Sequence, residues 1–401
     1  MLWQALTFQL GYNATLVTLG ATLLGVAAGV TGTFLFLRKR ALVSDAISHA
    51  TLPGVGLAFI LMVAMGGDGR SLLGLMLGSA ASAWIGLLCI SALTRRTRLA
   101  EDAAIGAVLS VFFGIGIVFL TFIQTMSEGR QAGLEGFLLG STAGMLYSDA
   151  VIIAVGGAAV LLAVIAFRRP LSAVAFDPEF AASSGLNVPR LDLIMMGLVM
   201  AITVVGLKIV GLILIVALLI IPPVTARFWS ERVTGVLWVA GIVGGVSGYV
   251  GAALSAIAPA LPTGPVIVLV SFSMFALSLF FAPARGVLAA VLKHLSFQRR
   301  VHVRQGLLAL AQGQPIYEKL TLRLLRRAGL ARADGVATSD GKARAAKALR
   351  DETRWQMARS REEFALAATF YDGLTEIETV LTGDQITELD RLIGAPKGVR
   401  P

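Results

Sequence analysis

Charged residues are scarce in this 401-residue sequence. Only 14% of the residues are Asp, Glu, Lys or Arg, whereas 56% are hydrophobic. The charged share is about half of that in soluble globular domains. The mean hydropathy is +0.80, which is also typical of an apolar sequence. Scarce charge and long apolar runs exclude an ordinary soluble globule, and they predict an all-α, polytopic membrane protein.

Two further features are missing. Cys89 is the single cysteine, so an intrachain disulfide is excluded. The sequence also contains no G-x-x-x-x-G-K-[ST] loop, the motif that cradles nucleotide phosphates in many ATPases. Any process driven by ATP would therefore need a separate ATPase.

Nine apolar runs are long enough to cross a membrane. They cover about residues 16–37, 41–65, 71–93, 103–124, 149–167, 191–207, 209–227, 234–258 and 264–282. The sixth and seventh runs could instead form one long helix, which would give eight spans. Basic residues favour a hairpin near Gly206–Gly211, because with nine spans and an outside N-terminus only Arg70, Arg130 and Lys208 lie outside.

Two connections between the runs have a distinct composition. Residues 126–148 are too polar and glycine-rich to span, so we expect an outer loop with a short interfacial or re-entrant helix. Residues 168–190 are predicted to be cytoplasmic. In that segment Asp177 suits an N-cap, Pro178 a first helical turn and Gly185 a helix end. The pattern predicts a short cytoplasmic helix between two spans.

Composition changes near residue 290, where long apolar runs end and Lys and Arg become frequent. We therefore predict a membrane domain over 1–290 and a small cytoplasmic domain over 291–401. Amphipathic helices are expected in the second domain at about 301–312, 315–329, 340–359, 361–372 and 384–393.

Asp45 and His49 lie inside the second apolar run. A charged side chain within a membrane helix costs about 3 kcal/mol, so such residues usually have a function. At i and i+4 the two share one helix face, and carboxylate oxygen with imidazole nitrogen suits Mn²⁺, Fe²⁺ and Zn²⁺. A hydrogen-bonded pair that only locks helix packing is the alternative. Two ligands cannot complete a four-coordinate site, whereas a dimer would bring two more.

Other polar or helix-breaking residues of the spans are open to two interpretations. Pro53 and Gly54 are predicted to break the helix beside the Asp–His pair, which suits a gate but also an ordinary kink. With Ser48 they form a candidate gate. Glu101 and Asp102 open the fourth run, where the dipole of the helix N-terminus favours carboxylates without any functional role.

Four motifs resemble a known family. They are RKRALVSDAISHATLPGVGLAF, RLAEDAAIGAVLSVFFGIGIVFL, GFLLGS and VGLKIVGLILIVALLIIPPVTAR, in this order. Together they resemble the ABC-type zinc/manganese/iron permeases over roughly residues 10–285. The resemblance implies a bacterial inner-membrane protein whose pathway is formed by two permease subunits, either identical or paralogous. It also implies two cytoplasmic ABC ATPases and a periplasmic or lipid-anchored metal-binding protein.

The resemblance assigns roles to two groups of residues. Asp45 and His49 match the metal-pathway motif of the family. FDPEFAASSGLNV resembles the segment that couples the permease to the ATPase, and a plain connector is the alternative. The residues matched in that segment are Phe176, Asp177, Glu179, Ala181 and Gly185.

The C-terminal part has a resemblance of its own. Residues 306–355 resemble a winged helix of the iron- and manganese-dependent repressors, in which Thr338–Gly341 would open the helix after the wing. DGLTEIETVLTGDQITELDRLIGAP is similar to the dimerisation part that follows. Residues 303–401 contain no His and no Cys, so the repressors' metal sites cannot be carried over. The basic charge of this C-terminal part suits DNA phosphates. We favour instead a solvated basic face that meets acidic membrane lipid, or a role in docking, over binding of nucleic acid.

These observations predict a permease subunit of an ATP-driven importer of a divalent transition metal. Mn²⁺ is favoured as the transported ion because permeases with such a tail resemble manganese-type systems, while Zn²⁺ and Fe²⁺ stay open. No permanently bound cofactor is expected. The alternative is a membrane-tethered, metal-responsive regulator whose tail binds DNA.

Overall fold

The computed structural model describes residues 11–67, 69, 71–126, 145–257 and 261–394. Within these ranges the chain is helical and has no β-strand, apart from one isolated antiparallel bridge between Ala331 and Ala337. The chain divides into two compact units, Met1–Ala289 and Ala290–Pro401. Most of the outer loop expected over 126–148, including its expected helix, lies outside the described residues.

The first unit is a bundle of long apolar helices. Eight of its described helical segments are long and apolar enough to cross a membrane, and Leu214–Arg227 is a shorter apolar helix. The helices are α1 Tyr12–Leu37, α2 Leu42–Ala64, α3 Leu72–Arg96, α4 Glu101–Thr125, α5 Tyr147–Phe176, α6 Pro178–Ser183, α7 Val188–Arg227, α8 Val233–Ser255 and α9 Thr263–Phe281. The polytopic all-α class predicted from the sequence is the one observed.

Helix α1 is central in this bundle and packs against α5, α7 and α8. Its contact with α8 depends on glycine: a Cβ atom on Gly25 would run into the carbonyl of Gly244, and one on Gly248 into the carbonyl of Ala21. Small residues allow membrane helices to approach until their backbones touch. The pairing of 25 with 244 and of 21 with 248 shows that the two helices are antiparallel.

Helix α7 changes direction at Gly211, where φ is 73° and ψ is 173°. A Cβ atom on Gly206 would lie 2.7 Å from Cδ1 of Ile215. On a straight helix these two residues would be about 13 Å apart along the axis. The chain therefore folds back on itself, and a glycine at the turn adopts a φ that other residues avoid.

The second half of α7, Leu214–Arg227, runs alongside α9 in the same direction. Leu214 lies beside Gly264 at the start of α9. Just after α7, the Nε1 atom of Trp229 donates a 2.8 Å hydrogen bond to Oγ of Ser278 near the end of α9. Because the chain reverses at Gly211, the first half of α7 runs in the opposite direction, and the two halves form a hairpin.

Helix α5 is longer than predicted. The fifth apolar run was expected to end at residue 167, before Arg168, but α5 continues to Phe176 with Pro170 inside it. The first part of the predicted connection 168–190 is therefore helix. Arg168, Arg169 and Pro170 suggested that the helix ends where the apolar run ends. A helix can, however, continue beyond the hydrocarbon region into the polar region.

The second unit consists of shorter helices around two small cores. Its helices are α10 Val287–Ala311, α11 Lys319–Arg327, α12 Ser339–Arg359, α13 Ala365–Ala368 and α14 Gly383–Gly394, with 3₁₀ turns at Glu362–Phe364 and Ile377–Thr379. Trp355 is fully buried in one core with Phe364, Ile377 and Leu389. Its Nε1 atom donates to the carbonyl of Thr375 at 3.1 Å.

Two of the predicted helices in this unit differ from the observed ones, and one predicted helix start is confirmed. The helix expected from residue 301 begins at Val287, and the helix expected over 361–372 is a 3₁₀ turn followed by the short α13. The helix start at Thr338–Gly341 is confirmed, since Oγ1 of Thr338 accepts a 3.1 Å hydrogen bond from the Gly341 N–H. A winged helix would carry a β-hairpin wing, and the described residues contain only the bridge between Ala331 and Ala337.

Candidate functional site

Asp45 and His49 lie one turn apart near the start of α2. The distance from Nε2 of His49 to Oδ1 of Asp45 is 3.4 Å. The Asp45 side chain is 42% exposed and the His49 side chain is 27% exposed. The sequence-predicted pair thus shares one face of α2, and the described part of the same chain covers this face only in part.

The imidazole of His49 is held from the side by α4. Its ring packs edge-on against Phe113, with the ring centroids 5.0 Å apart and an interplanar angle of 82°. The Nδ1 atom is buried and finds no hydrogen-bond partner among the described residues. The aromatic contact fixes the ring plane, so the Nε2 edge stays directed at Asp45.

This pair does not form a complete cation site by itself. Within the described residues no group of three or more His, Cys, Asp or Glu side chains is close enough to share a metal ion. Structural zinc sites use four protein ligands, and six are common for manganese-like ions. A cation at Asp45 and His49 would need further ligands from water or from another chain.

The candidate gate residues pack against the interior of the bundle. Ser48 is buried, and its Oγ donates to the Ser44 carbonyl at 2.8 Å, away from the pair. The expected helix break at Pro53 is wrong, because α2 is continuous from Leu42 to Ala64. Proline still has no N–H to donate to the carbonyl of His49. A Cβ atom on Gly54 would strike the carbonyl of Gly78, so α2 and α3 touch here.

A cluster of four charged residues lies at the end of the bundle where α2 begins. Nη2 of Arg38 is 2.9 Å from Oδ2 of Asp192, and Nη1 of Arg40 is 3.1 Å from the same oxygen. Nε of Arg40 is also 2.6 Å from Oε1 of Glu101. The cluster joins the ends of α1, α2, α4 and α7. Sequence reasoning explained Glu101 by the helix dipole alone and missed Asp192, although Asp192 is the one acidic residue of its apolar run.

The predicted short helix after α5 has the expected boundaries. Oδ1 of Asp177 accepts a 2.9 Å hydrogen bond from the Phe180 N–H at the start of α6, and Gly185 has a φ of 83° just after its end. Ala181 is fully buried against the bundle, whereas Phe176 and Phe180 are 60% and 63% exposed. Glu179 is exposed as well.

Exposed aromatic side chains on a capped, anchored helix form a surface suited to a partner protein. Phe180 was not among the residues singled out from the sequence. The signal was available, because it lies next to buried Ala181 on a helix of only six residues.

A bundle of membrane-spanning helices, with an Asp–His pair near the start of one span and a short capped helix between two others, defines a multi-pass transport protein of the permease class. The family model of the ABC 3 transport family matches residues 12–282. The chain belongs to this family. It is a membrane subunit of an ABC transporter and not an enzyme, and ATP hydrolysis is carried out by a separate subunit.

Several relatives are similar over most of the chain. The manganese transport system membrane protein MntC of Bacillus subtilis (strain 168) is 40% identical over 322 residues, which are 80% of this chain and 72% of the relative. The zinc transport system membrane protein TroC of Treponema pallidum (strain Nichols) is 37% identical over 277 residues, 69% of this chain and 91% of the relative. The Bacillus match is longer than residues 1–282 can supply, so it extends into the C-terminal unit.

A solved structure supports the same fold. The chain is similar to PsaBC from Streptococcus pneumoniae in complex with Fab, with a TM-score of 0.61 and 28% sequence identity. The similarity covers 71% of this chain and 98% of the solved one. The similarity extends over nearly the whole solved chain, so the two chains share a fold over most of their length.

Proposed function

We propose that this chain is the permease subunit of an ATP-driven importer of a divalent transition metal, with Mn²⁺ as the favoured ion. The observation that carries the proposal is the exposed Asp45–His49 pair on a membrane-spanning helix. Relatives named for manganese and for zinc transport support a metal as the cargo. Mn²⁺ is placed first because the similarity to the manganese protein reaches into the C-terminal unit.

The proposed chemistry follows from the ligand types. A divalent ion loses hydration inside the membrane and needs replacement ligands, and the Asp45 carboxylate offsets part of its charge in a medium of low dielectric. The imidazole nitrogen of His49 adds a ligand of intermediate softness, which also suits Zn²⁺ and Fe²⁺. A second permease subunit, identical or paralogous, would place the same two ligands opposite and complete the shell. In this proposal the ion is cargo, and no cofactor is permanently bound.

The gate is proposed to lie beside these ligands. Pro53 leaves the His49 carbonyl without its usual helical hydrogen bond, and Gly54 allows α2 to slide along α3 without a side chain in the way. Buried Ser48, whose hydroxyl donates to the Ser44 carbonyl one turn earlier, would help α2 to bend here, because such bonds often bend helices.

The partner surfaces follow the proposed topology. We infer nine crossings, with the two halves of α7 counted separately, an outside N-terminus and a cytoplasmic C-terminal unit, because this arrangement places most basic residues in the cytoplasm. The ATPase would then contact α6 with its exposed Phe180, together with the exposed Phe176 at the end of α5. A periplasmic or lipid-anchored metal-binding protein would deliver the ion to the opposite side of the bacterial inner membrane.

The C-terminal unit is proposed to be a winged-helix-like regulatory or docking domain. Its basic surface would meet acidic membrane lipid or the partner subunits, and nucleic acid is not proposed as its ligand. The alternative of a membrane-tethered DNA-binding regulator gains no support from the Bacillus and Treponema relatives, which are named as transport proteins.

The decisive experiment is metal uptake by cells that lack the gene and carry either the wild-type protein or a variant. Mn²⁺, Zn²⁺ and Fe²⁺ are compared at equal concentrations. Asp45→Asn keeps the size of the side chain and removes its charge, and His49→Ala removes the nitrogen ligand. Both should reduce uptake of the preferred metal by at least about tenfold at an unchanged amount of inserted protein.

The matched control is Asp102→Asn, on the exposed start of α4. It should transport normally. Wild-type uptake in both Asp45→Asn and His49→Ala would refute the ligand role of the pair. A parallel fall in uptake and in the amount of inserted protein would instead favour the packing alternative.

A further inference from the structure

A groove on the surface of the membrane unit has no role in the transport proposal. It has a volume of about 550 Å³ and lies between α1, α5 and α8. Its described lining is apolar except for two threonines and one charged residue, Arg168. The lining residues are Thr22, Val26, Val30, Leu161, Val164, Ile165, Arg168, Thr234, Leu237, Trp238, Gly241, Ile242, Gly245 and Val246.

The groove runs along the helices from one end of the bundle towards its middle. On α8 the lining extends from Thr234 to Val246, a distance of about 18 Å at the helical rise per residue. This is close to half of the roughly 30 Å hydrocarbon thickness, or the depth of one leaflet. Gly241 and Gly245 form part of the floor, against Val30 and Val26 of α1.

The charged residue is at one end of this groove. Arg168 lines the groove on α5 while Leu161 lies nearer the membrane centre, and Thr234 and Trp238 are at the same end on α8. Trp238 is 75% exposed, and tryptophan is enriched where hydrocarbon meets headgroups. The groove thus has a polar, cationic end at the membrane boundary and an apolar body below it.

Arg168 has no charged partner among the described residues. Its side chain is half-buried, yet its guanidinium makes no ion pair or hydrogen bond with any described residue. By contrast, Arg38 and Arg40 pair with Asp192 and Glu101. A half-buried guanidinium at a membrane boundary is costly unless an anion satisfies it, and phosphate does so with charge-assisted hydrogen bonds.

From these observations we infer that the groove binds an anionic phospholipid, with one acyl chain along α8 and the headgroup phosphate on Arg168. The groove has a cation at the membrane boundary and an apolar body about one leaflet deep, and an anionic lipid has its headgroup and acyl chain in the same order. A single hydrocarbon chain is thin enough to lie between the side chains, and basic pockets between membrane helices suit anionic headgroups.

The test uses the full-length protein in detergent, titrated with dipalmitoyl phosphatidylglycerol or dipalmitoyl phosphatidylcholine and examined by native mass spectrometry. The wild-type protein should retain the anionic lipid more tightly. Arg168→Gln should weaken its binding about tenfold, the loss expected for a charge-assisted contact, while Arg168→Lys should keep most of the preference. Ile165→Trp, which fills the groove, should weaken both lipids.

Arg169→Gln is the matched control, because Arg169 is adjacent and exposed but does not line the groove. It should bind like the wild type. Equal binding of the two lipids to the wild type, or equal phosphatidylglycerol binding by wild type and Arg168→Gln, would overturn the inference. So would disulfide cross-linking between two copies through Ile242→Cys in a Cys89→Ser background, since a protein would then occupy the groove.

Discussion

Arg38 and Asp192 are 154 positions apart in the sequence, and Nη2 of Arg38 is 2.9 Å from Oδ2 of Asp192. Nη1 of the same arginine donates to the Val174 carbonyl on α5 at 3.0 Å. Arg40, next to the start of α2, shares the Asp192 carboxylate. The start of α2, the helix that carries Asp45 and His49, is therefore joined to α7 by an ion pair, and the end of α1 is joined to both α5 and α7.

Replacement of Asp192 by Asn should destabilise the membrane unit. Asp192 is 14% exposed, and its loss would leave two guanidinium groups without their shared carboxylate. Removal of one partner from a buried ion pair costs about 3 kcal/mol. The thermal unfolding midpoint of the purified protein should fall by several degrees.

The control is Glu231→Gln, which removes an exposed partner of Arg285 in a pair of the same 2.9 Å length. Exposed pairs contribute at most about 1 kcal/mol, so this variant should unfold near the wild-type temperature. Equal midpoints for both variants would show that the cluster at Asp192 does not stabilise the bundle.

Two glycines on α8 should differ in their tolerance of alanine. A methyl group on Gly244 would strike the carbonyl of Gly25, and a backbone cannot move aside as a side chain can. One on Gly241 would lie 3.0 Å from Cγ2 of Val30, a side-chain atom. Gly244→Ala should cost about 2 kcal/mol of unfolding free energy, whereas Gly241→Ala should cost clearly less. Thermal unfolding of both variants measures the order, and the reverse order would contradict the close packing of α1 and α8.

Gly185 should tolerate asparagine better than valine. Its φ of 83° lies in the left-handed region, and no atom lies within 4 Å of a Cβ placed there, so strain arises from the backbone alone. Asparagine adopts this region several-fold more often than most residues, while a β-branched residue there is an outlier. Gly185→Val should lose metal uptake and ATPase co-purification at a normal amount of inserted protein, and Gly185→Asn should retain both. If Gly185→Val transports and binds the ATPase normally, α6 is not the coupling helix.

A pH-dependent contact stabilises the C-terminal unit. Arg354 donates two hydrogen bonds to Asp390 on α14, of 2.7 Å and 2.6 Å, and they lower the pKa of the Asp390 carboxyl. A carboxyl with a lowered folded-state pKa stabilises the fold above its ordinary value of 3.8, and this contribution is lost as pH falls through the lower folded value.

Hydrogen exchange of α14 in the full-length protein measures this contribution. Asp390→Asn should exchange faster than wild type at neutral pH, and the difference should shrink as pH falls below 3.8. Glu388→Gln, exposed on the same helix but without an ion pair among the described residues, is the control and should match wild type throughout. A difference for Asp390→Asn that does not change with pH would exclude the Arg354 contact as its cause.

Apolar runs and local capping signals were sufficient to predict most of the architecture. The spans could be predicted because only long apolar segments can cross hydrocarbon. Helix α6 could be predicted because Asp177, Pro178 and Gly185 each strongly prefer their position at a helix start or end. The end of α5 was misplaced at Arg168, since charge next to proline marks a membrane boundary without always ending a helix.

Long-range contacts were beyond sequence reasoning. Asp192 meets Arg38 only because α1 and α7 pack side by side, and no local pattern specifies that. Likewise, the unpaired state of Arg168 is visible only once its neighbours are placed. The roles of Asp45 and His49 as ligands remain predictions, because the geometry places them together but not the ion.

The partly exposed position of Asp45 and His49 has a genetic consequence. If two identical chains each supply half of the ligand shell, an inactive chain disables every pair that it enters. His49→Ala expressed beside the wild-type gene should therefore behave as a dominant allele, with uptake lower than the share of intact chains would give. A pathway enclosed within one chain would make the same allele recessive.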